Sequence, residues 1–311
     1  MADQPDVTIS IVSGGSPQLL ADCLASLPQA APATAVETVV VDNGLGEPLD
    51  ELIEAHPEVR WIRSERRRGF AANHNMALAG AGGRHLFVLN DDTVLGPACI
   101  DRLVGFADRN PSVGCAGPRV VFADGRRQPS AFHFPTPGRV ALTALTLQRR
   151  GWVLSDTDRI RRVDWVHGCA MLLRGEAFRD VAGFDEGFYM YLEDVDLCRR
   201  LRSAGWDVAF LPYAWLTHLE NASSAGAPER RIYQHARSRE RYTRKHHGAA
   251  AAMTVQALTA GMFAGRIGAS RVLGRDPAER LRFAAHVRAS LHPRAQPAIE
   301  DAAADFNREA A

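Results

Sequence analysis

The chain has 311 residues, 46% hydrophobic and 23% charged, with a formal net charge of +1. These values exclude a largely disordered chain and a global nucleic-acid binder, and the length suffices for one large core with an appendage or for two modest domains. In chain order, residues 7–12 read as a strand, 19–27 as a helix, 37–41 as a strand, 48–55 as a helix and 59–63 as a strand. Residues 73–81 then read as a helix, 85–89 as an apolar strand, 97–107 as a helix and 113–121 as a strand broken by Gly114, Gly117 and Pro118. Short β-branched runs alternating with helical patterns predict a mostly parallel sheet covered by helices, with functional groups at the carboxyl ends of the strands. The Pro- and Arg-rich interval 122–162 reads as a surface loop, followed by a strand at 170–174, a helix at 194–203 stopped by Gly205, and strands at 208–211 and 214–218.

Beyond Ser224 the character changes, so a catalytic domain 1–224 and a helical region 225–311 are expected. Residues 229–247 are dense in Arg, Lys and His, and 249–273 are Ala-rich and moderately apolar, short of the roughly 20 clean residues of a spanning helix. A solvated helical face and a peripheral membrane contact through 229–273 both stay open, and the tail after Pro293 is expected to fray. Five cysteines, Cys23, Cys99, Cys115, Cys169 and Cys198, include no CxxC pair, which points away from zinc ribbons and secreted disulfide frameworks. With no basic stretch leading an apolar one at the N-terminus, a cytoplasmic setting is expected, with the inner face of the plasma membrane as the peripheral variant.

Three acidic clusters carry the chemistry. Asp42-Asn43-Gly44 follows the run Val39-Val40-Val41 and places a carboxylate at a strand end, where it can be an ordinary Asn-Gly turn or a partner for a base imide or ribose hydroxyl. Asn90-Asp91-Asp92 follows an apolar strand, and paired acids there suit a divalent cation such as Mg²⁺ or Mn²⁺ shared with phosphate, against the alternative of a helix cap. Glu193-Asp194-Val195-Asp196 stands at a helix start behind aromatic residues, which suits a general base as well as simple dipole complementation. His218 ends the last strand and, with Asn90 and Asp92, would make a reasonable metal set. The glycines around Ser13–Ser16 do not spell the dinucleotide fingerprint, which argues against a nicotinamide oxidoreductase.

The order of these clusters resembles the inverting family 2 glycosyltransferases of GT-A fold, and among them the bacterial rhamnosyltransferase-type branch. The resemblance runs from about Val7 to Ser224 and rests on Ile9-Ser10-Ile11-Val12, Val40-Val41-Asp42-Asn43-Gly44, Gly69-Phe70-Ala71-Ala72-Asn73-His74-Asn75 and Leu89-Asn90-Asp91-Asp92-Thr93. It continues through Gly168-Cys169-Ala170-Met171-Leu172-Leu173-Arg174, Gly183-Phe184-Asp185-Glu186, Glu193-Asp194-Val195-Asp196-Leu197 and His218. It implies a Rossmann-like, mostly parallel α/β sheet flanked by helices, and transfer of a sugar from a nucleoside-diphosphate donor to a hydroxyl of a glycan or lipid-linked acceptor in polysaccharide or cell-wall synthesis. Rhamnose is one candidate sugar. It further implies that Ser13, Asp42, Gly69, Phe70, Asn73, Asn75, Asn90 and Asp91 serve the donor, and that Asp92, Asn90 and His218 hold a divalent metal. Asp194 becomes the catalytic base with Glu193 beside it, and Trp165, His167 and Gly168 lie toward the acceptor. This chain departs from the pattern in having Ser13-Gly14-Gly15 where relatives often carry Tyr-Asn, in Asp91 where Pro is frequent, and in Asn221 where a glycine is usual after His218. An inactive nucleotide-sugar-binding scaffold of the same fold is the alternative, and oligomeric state is open.

Overall fold

The computed structural model describes residues 4–44, 47–146, 151–219, 228–274 and 276–309. They divide into two compact units, one drawn from Met1–Phe134, Trp152–Gly187 and Glu193–Ser224, the other from Pro135–Gly151, Phe188–Leu192 and Ala225–Ala311. The units are discontinuous in sequence, whereas the expected division is a single cut, and that cut at 224/225 lies outside the described residues, as does Asn221.

The first unit opens with β1 Val7–Ser13, α1 Pro17–Ala30, β2 Val36–Asp42, α2 Asp50–Ala55, β3 Arg60–Arg63, α3 Phe70–Leu78 and β4 His85–Asn90. After these come β5 Thr93–Leu95, α4 Cys99–Arg109, β6 Val113–Val121, β7 Arg127–Gln128 and β8 Ala131–Phe132. In chain order the next helix, α5 Pro137–Thr146, belongs to the second unit. The first unit resumes with β9 Arg161–Arg162, β10 Trp165–Val166, β11 Ala170–Arg174, α6 Gly175–Asp180, α7 Glu193–Ser203 and β12 Asp207–His218. The main sheet runs β3-β2-β1-β4-β11-β6-β12-β5, with β7 on β6 and β9 on β12; β8 and β10 form a separate pair. Strands β1 to β4 are parallel to one another, β11 is antiparallel to β4 and β6, and β6 is parallel to β12.

Alternation along β1 decides which helices cover which face. Val7, Ile9 and Ile11 join Val40, Phe87, Leu89 and Leu172 in a core closed by Leu20, Leu24 and Leu27 of α1 and Ile100 and Leu103 of α4. Each such fully buried aliphatic side chain contributes roughly 1.5–3 kcal/mol. On the other face Val39 and Val41 pack against Ala77 of α3, and Ser10 Oγ meets His74 Nδ1 at 2.7 Å. Ser16 caps α1, accepting from the Leu19 amide at 3.5 Å with Pro17 in the first turn, so the chain turns sharply off β1. All five cysteines are buried thiols without a disulfide.

Three expectations need correction. The interval 122–162 is not one loop, because it contains β7, β8 and α5. The two strands expected at 208–211 and 214–218 are one strand, β12, whose register against β6 shifts between Leu211 and Trp215. Nor does the tail fray after Pro293: helix α10 Ile299–Glu309 folds back, with Ala298 buried beside Tyr233 and with Arg237 paired to Glu300 and to Asp301, the latter at 2.7 Å.

The second unit is helical. Helix α8 Pro228–Val272 breaks at Gly248, where φ is 86° and ψ 171°, and α9 Pro277–Leu291 lies along it with α5 and α10 also packed on it. The basic run is not a bare solvated face, since Tyr233, Gln234, Ala236, Ser238, Tyr242 and Thr243 are buried and Arg241 and Lys245 stand 5.1 and 5.8 Å over the Phe188 ring. Among the described residues no helix is long and apolar enough to cross a membrane.

Candidate active site

Strand register brings the first part of the site together. Ser13 stands opposite Asp42, Asp42 opposite Arg63, and Val12 opposite Asn90, so the carboxyl ends of β1, β2, β3 and β4 share one edge of the sheet. Asp42 is half-buried, and its Oδ1 accepts from the Gly44 amide at 2.9 Å, the short turn that its Asn-Gly sequence favours. Ser13 is buried and accepts from the Gly15 amide at 3.2 Å.

The loop before α3 is pinned from two sides. Asn43 exchanges hydrogen bonds with the Arg68 backbone at 3.0 and 2.9 Å, and Asn73 Nδ2 donates to the Arg68 carbonyl at 3.2 Å. Gly69 is the N-cap of α3, so Phe70, Asn73 and Asn75 sit on a helix three residues earlier than the sequence pattern suggests. Phe70 reaches toward the Gly168 turn: a Cβ on Gly168 would stand 3.5 Å from its Cζ. Asn75 has a different occupation. Its Oδ1 accepts from the Phe184 amide at 3.0 Å while its Nδ2 donates to the Phe184 carbonyl and to Glu186, both at 3.0 Å, which ties α3 to the 183–186 turn.

The two aspartates after Asn90 part company. Asp91 turns to the amide of Gly14, and burial pushes its carboxyl up to about 6, with the Asp92 charge adding to the rise. Asp92 faces β12 instead: its Oδ1 is buried without a hydrogen bond and lies 3.2 Å from His218 Nε2. His218 Nδ1 lies 3.2 Å from Gln128 Oε1. An amide oxygen can only accept, so Nδ1 carries a proton, and the neutral ring in that tautomer presents the Nε2 lone pair on the Asp92 side, as a metal-binding imidazole needs. In that neutral tautomer the carboxylate oxygen and the imidazole nitrogen, 3.2 Å apart, fit a divalent cation that keeps its other positions for water and phosphate. Asn90 contributes backbone contacts here, its carbonyl accepting from Thr93 Oγ1 at 2.7 Å and its amide donating to Cys169 at 2.9 Å. Among the described residues no group of three His, Cys, Asp or Glu side chains forms a closed cage.

The opposite wall is built on α7. Asp194 Oδ2 accepts from the Gly168 amide at 2.9 Å and Oδ1 from the Val195 amide at 2.8 Å. Burial pushes the Asp194 carboxyl up, while His167 and the Gly168 and Val195 amides pull it down. Glu193 next to it lies well above the ordinary carboxylate range, first through burial and then through the Asp194 charge, and its Oε2 is buried with no hydrogen bond. Asp196, the third acid, is fully buried and bonds Arg200 at 2.7 Å; Arg200 in turn donates to the carbonyls of Val181 and Gly183 at 2.6 and 2.7 Å, a structural clamp.

His167 connects the two walls. Its Nδ1 accepts from the Cys169 amide at 3.2 Å, its ring lies 5.9 Å from that of His218, and it acts electrostatically on Asp194. Trp165 stacks on Phe132 at 4.4 Å and donates through Nε1 to the His133 carbonyl at 3.0 Å, leaving a half-buried aromatic face near His167. Thus Asp92, His218, His167, Gly168, Phe70 and Asp194 form one chain of neighbours, and Asn75 stands apart from it. Sequence reasoning missed Gln128, which lies within the stretch taken for a loop.

Residues 5–240 match the family model described as glycosyltransferase like family 2. The chain is 32% identical over 223 residues, 65% of its length and 73% of the relative's, to the N-acetylglucosaminyl-diphospho-decaprenol L-rhamnosyltransferase of Mycobacterium tuberculosis. Among solved structures, GalNAc-T7 with UDP, GalNAc and Mn²⁺ superposes with a TM-score of 0.56 at 15% identity, covering 77% of this chain and 48% of that one. The mannosyltransferase PcManGT from Pyrobaculum calidifontis, in complex with GDP-Man and Mn²⁺, superposes with a TM-score of 0.54 at 16% identity, covering 99% of this chain and 88% of that one. These likenesses identify the fold as GT-A.

Proposed function

Since the chain belongs to glycosyltransferase family 2, we propose that it moves one sugar, with inversion, from a nucleoside diphosphate onto a hydroxyl of a glycan or lipid-linked acceptor. The observation that carries this reading is the bridge from the Asp92–His218 pair, whose groups suit a divalent cation, through His167 to the anchored carboxylate of Asp194. The name of the Mycobacterium tuberculosis relative makes rhamnose the first sugar to test and a diphospho-polyprenol glycan the first acceptor.

Asp194 is the base. Its two amide hydrogen bonds fix the carboxylate and favour its charged form, so that it takes the acceptor's proton as the acceptor oxygen attacks the anomeric carbon. Burial and the Asp194 charge both favour the protonated form of Glu193, and in that form it would donate a hydrogen bond to a sugar or acceptor oxygen. Asp92 and His218 would hold a Mn²⁺ or Mg²⁺ ion, which when bound offsets the negative charge left on the diphosphate. Ser13, Asp42 and the Gly69–Asn73 turn serve the nucleoside end at the sheet edge, and Trp165 offers an apolar face to the acceptor.

Transfer from a panel of nucleotide sugars, with and without Mn²⁺, tests the proposal together with Asp194→Asn. The variant is expected to lose about a thousandfold in kcat while keeping donor affinity. Near-normal turnover removes Asp194 from the role of base, and donor binding without turnover by the wild type supports the inactive-scaffold alternative.

A further inference from the structure

We infer that the tip of the α8–α9 hairpin docks the protein onto an anionic phospholipid surface. The tip joins Val272, the last residue of α8, to Pro277, the first of α9. It carries Val272 at 86%, Leu273 at 64% and Leu281 at 72% exposure, three large apolar side chains turned to solvent within ten residues of sequence. Exposed Arg271 and Arg282 flank them. Apolar tips that enter the acyl boundary beside arginines that reach lipid phosphates are the combination by which a peripheral protein holds a bilayer without crossing it. No described helix can span.

The charge of the chain favours this occupant. Residues 225–311 hold fifteen Arg and Lys against eight Asp and Glu, a surplus of seven positive charges, whereas residues 1–224 hold twenty-two against twenty-eight, a deficit of six. The near-neutral total therefore conceals a basic C-terminal region that an anionic bilayer attracts and an acidic remainder that it repels. At the tip itself, Asp276 is engaged as the α9 cap, accepting from the Ala278 amide at 2.8 Å, and Glu279 lies in the same first turn, where the helix dipole favours a negative charge. A second copy of the same face would bring Arg271 and Arg282 against their own equivalents, so a bilayer fits better than self-association. A polyanion such as nucleic acid would draw on the arginines and leave the leucines unused.

The inference is independent of the transfer chemistry, although a lipid-linked acceptor would give it a purpose. Co-sedimentation of the full chain with vesicles of phosphatidylcholine alone, or with phosphatidylglycerol added, tests it. Binding is expected with the anionic vesicles and not with the neutral ones, and it should weaken as salt rises. L273E with L281E should reduce vesicle affinity at least about tenfold, and R271Q with R282Q should reduce it about fivefold for each arginine. Both pairs are solvent-exposed, so their melting curves and their transfer to a water-soluble acceptor should match the wild type. A defect in transfer without a defect in vesicle binding counts against the catalytic proposal alone. Equal binding to neutral vesicles, or anionic binding untouched by both double variants, overturns the inference, as does a dimer formed without lipid and abolished by L273E.

Discussion

Gly168→Ala probes the carboxylate wall with one methyl group. The added Cβ would stand 3.3 Å from both Cβ and Oδ2 of Asp194 and 3.5 Å from Phe70 Cζ. Comfortable carbon contacts lie nearer 3.5–4.0 Å, so Asp194 must retreat by about 0.3–0.5 Å. The Gly168 amide bond to Oδ2, now 2.9 Å, then lengthens. A displacement of about 1 Å at a reacting group costs on the order of a hundredfold, so a loss of about tenfold in kcat is expected with donor affinity unchanged. The pH profile supplies a second reading. Burial already holds the Asp194 carboxyl above its ordinary value and the amide works against that, so weakening the amide raises it further. A charge-assisted bond weakened by about 1.4 kcal/mol corresponds to about one pKa unit. The base must be ionised, so activity disappears as pH falls through that value, and the acid limb of kcat/KM should move about one unit toward higher pH. A kcat within a factor of about two of wild type, together with a superimposable acid limb, would refute the claim that Gly168 positions the base.

Gln128→Leu removes the acceptor that fixes the His218 tautomer; the Mn²⁺ concentration for half-maximal activity should rise roughly tenfold, and an unchanged titration would show that no cation rests on His218 Nε2. Asn75→Ala cuts the clamp on Phe184 and should cost about 2–3 kcal/mol in urea unfolding while donor affinity stays put. The reverse pattern would restore Asn75 to the donor site. Asp196→Asn breaks the buried pair with Arg200 and should cost about 3 kcal/mol without moving the metal titration, measured by thermal unfolding and activity side by side.

The sheet is legible in the sequence because its central strands carry uninterrupted apolar runs such as Leu86-Phe87-Val88-Leu89, and because helices between parallel strands impose their own spacing. Acidic clusters at strand ends are legible for the same reason, since the strands themselves announce where they stop. Gln128 is not. It belongs to a two-residue strand with no period to detect, and it meets His218 only because β7 pairs β6 with Gln128 opposite Val120, while β6 pairs β12 with Val120 opposite Leu216. The division of labour within one acidic run is equally hidden. Glu193, Asp194 and Asp196 look alike in sequence, yet Gly168 anchors one, Arg200 neutralises another and burial raises the carboxyl of the third. Helix α10 shows tertiary structure overriding local signals: Pro293 and Pro297 suggest an ending, but Arg237 on α8 recaptures the chain through Glu300 and Asp301.

The five enclosed thiols have a practical consequence. Burial pushes Cys23 and Cys99 up to about 12 and raises Cys115 as well, so at neutral pH almost none of these three is in the thiolate form that attacks electrophiles. All five are buried as well, so the folded chain should react only slowly with maleimides. A cysteine placed at an exposed position such as Leu273 would take up a fluorophore or spin label selectively, without prior removal of the natural ones.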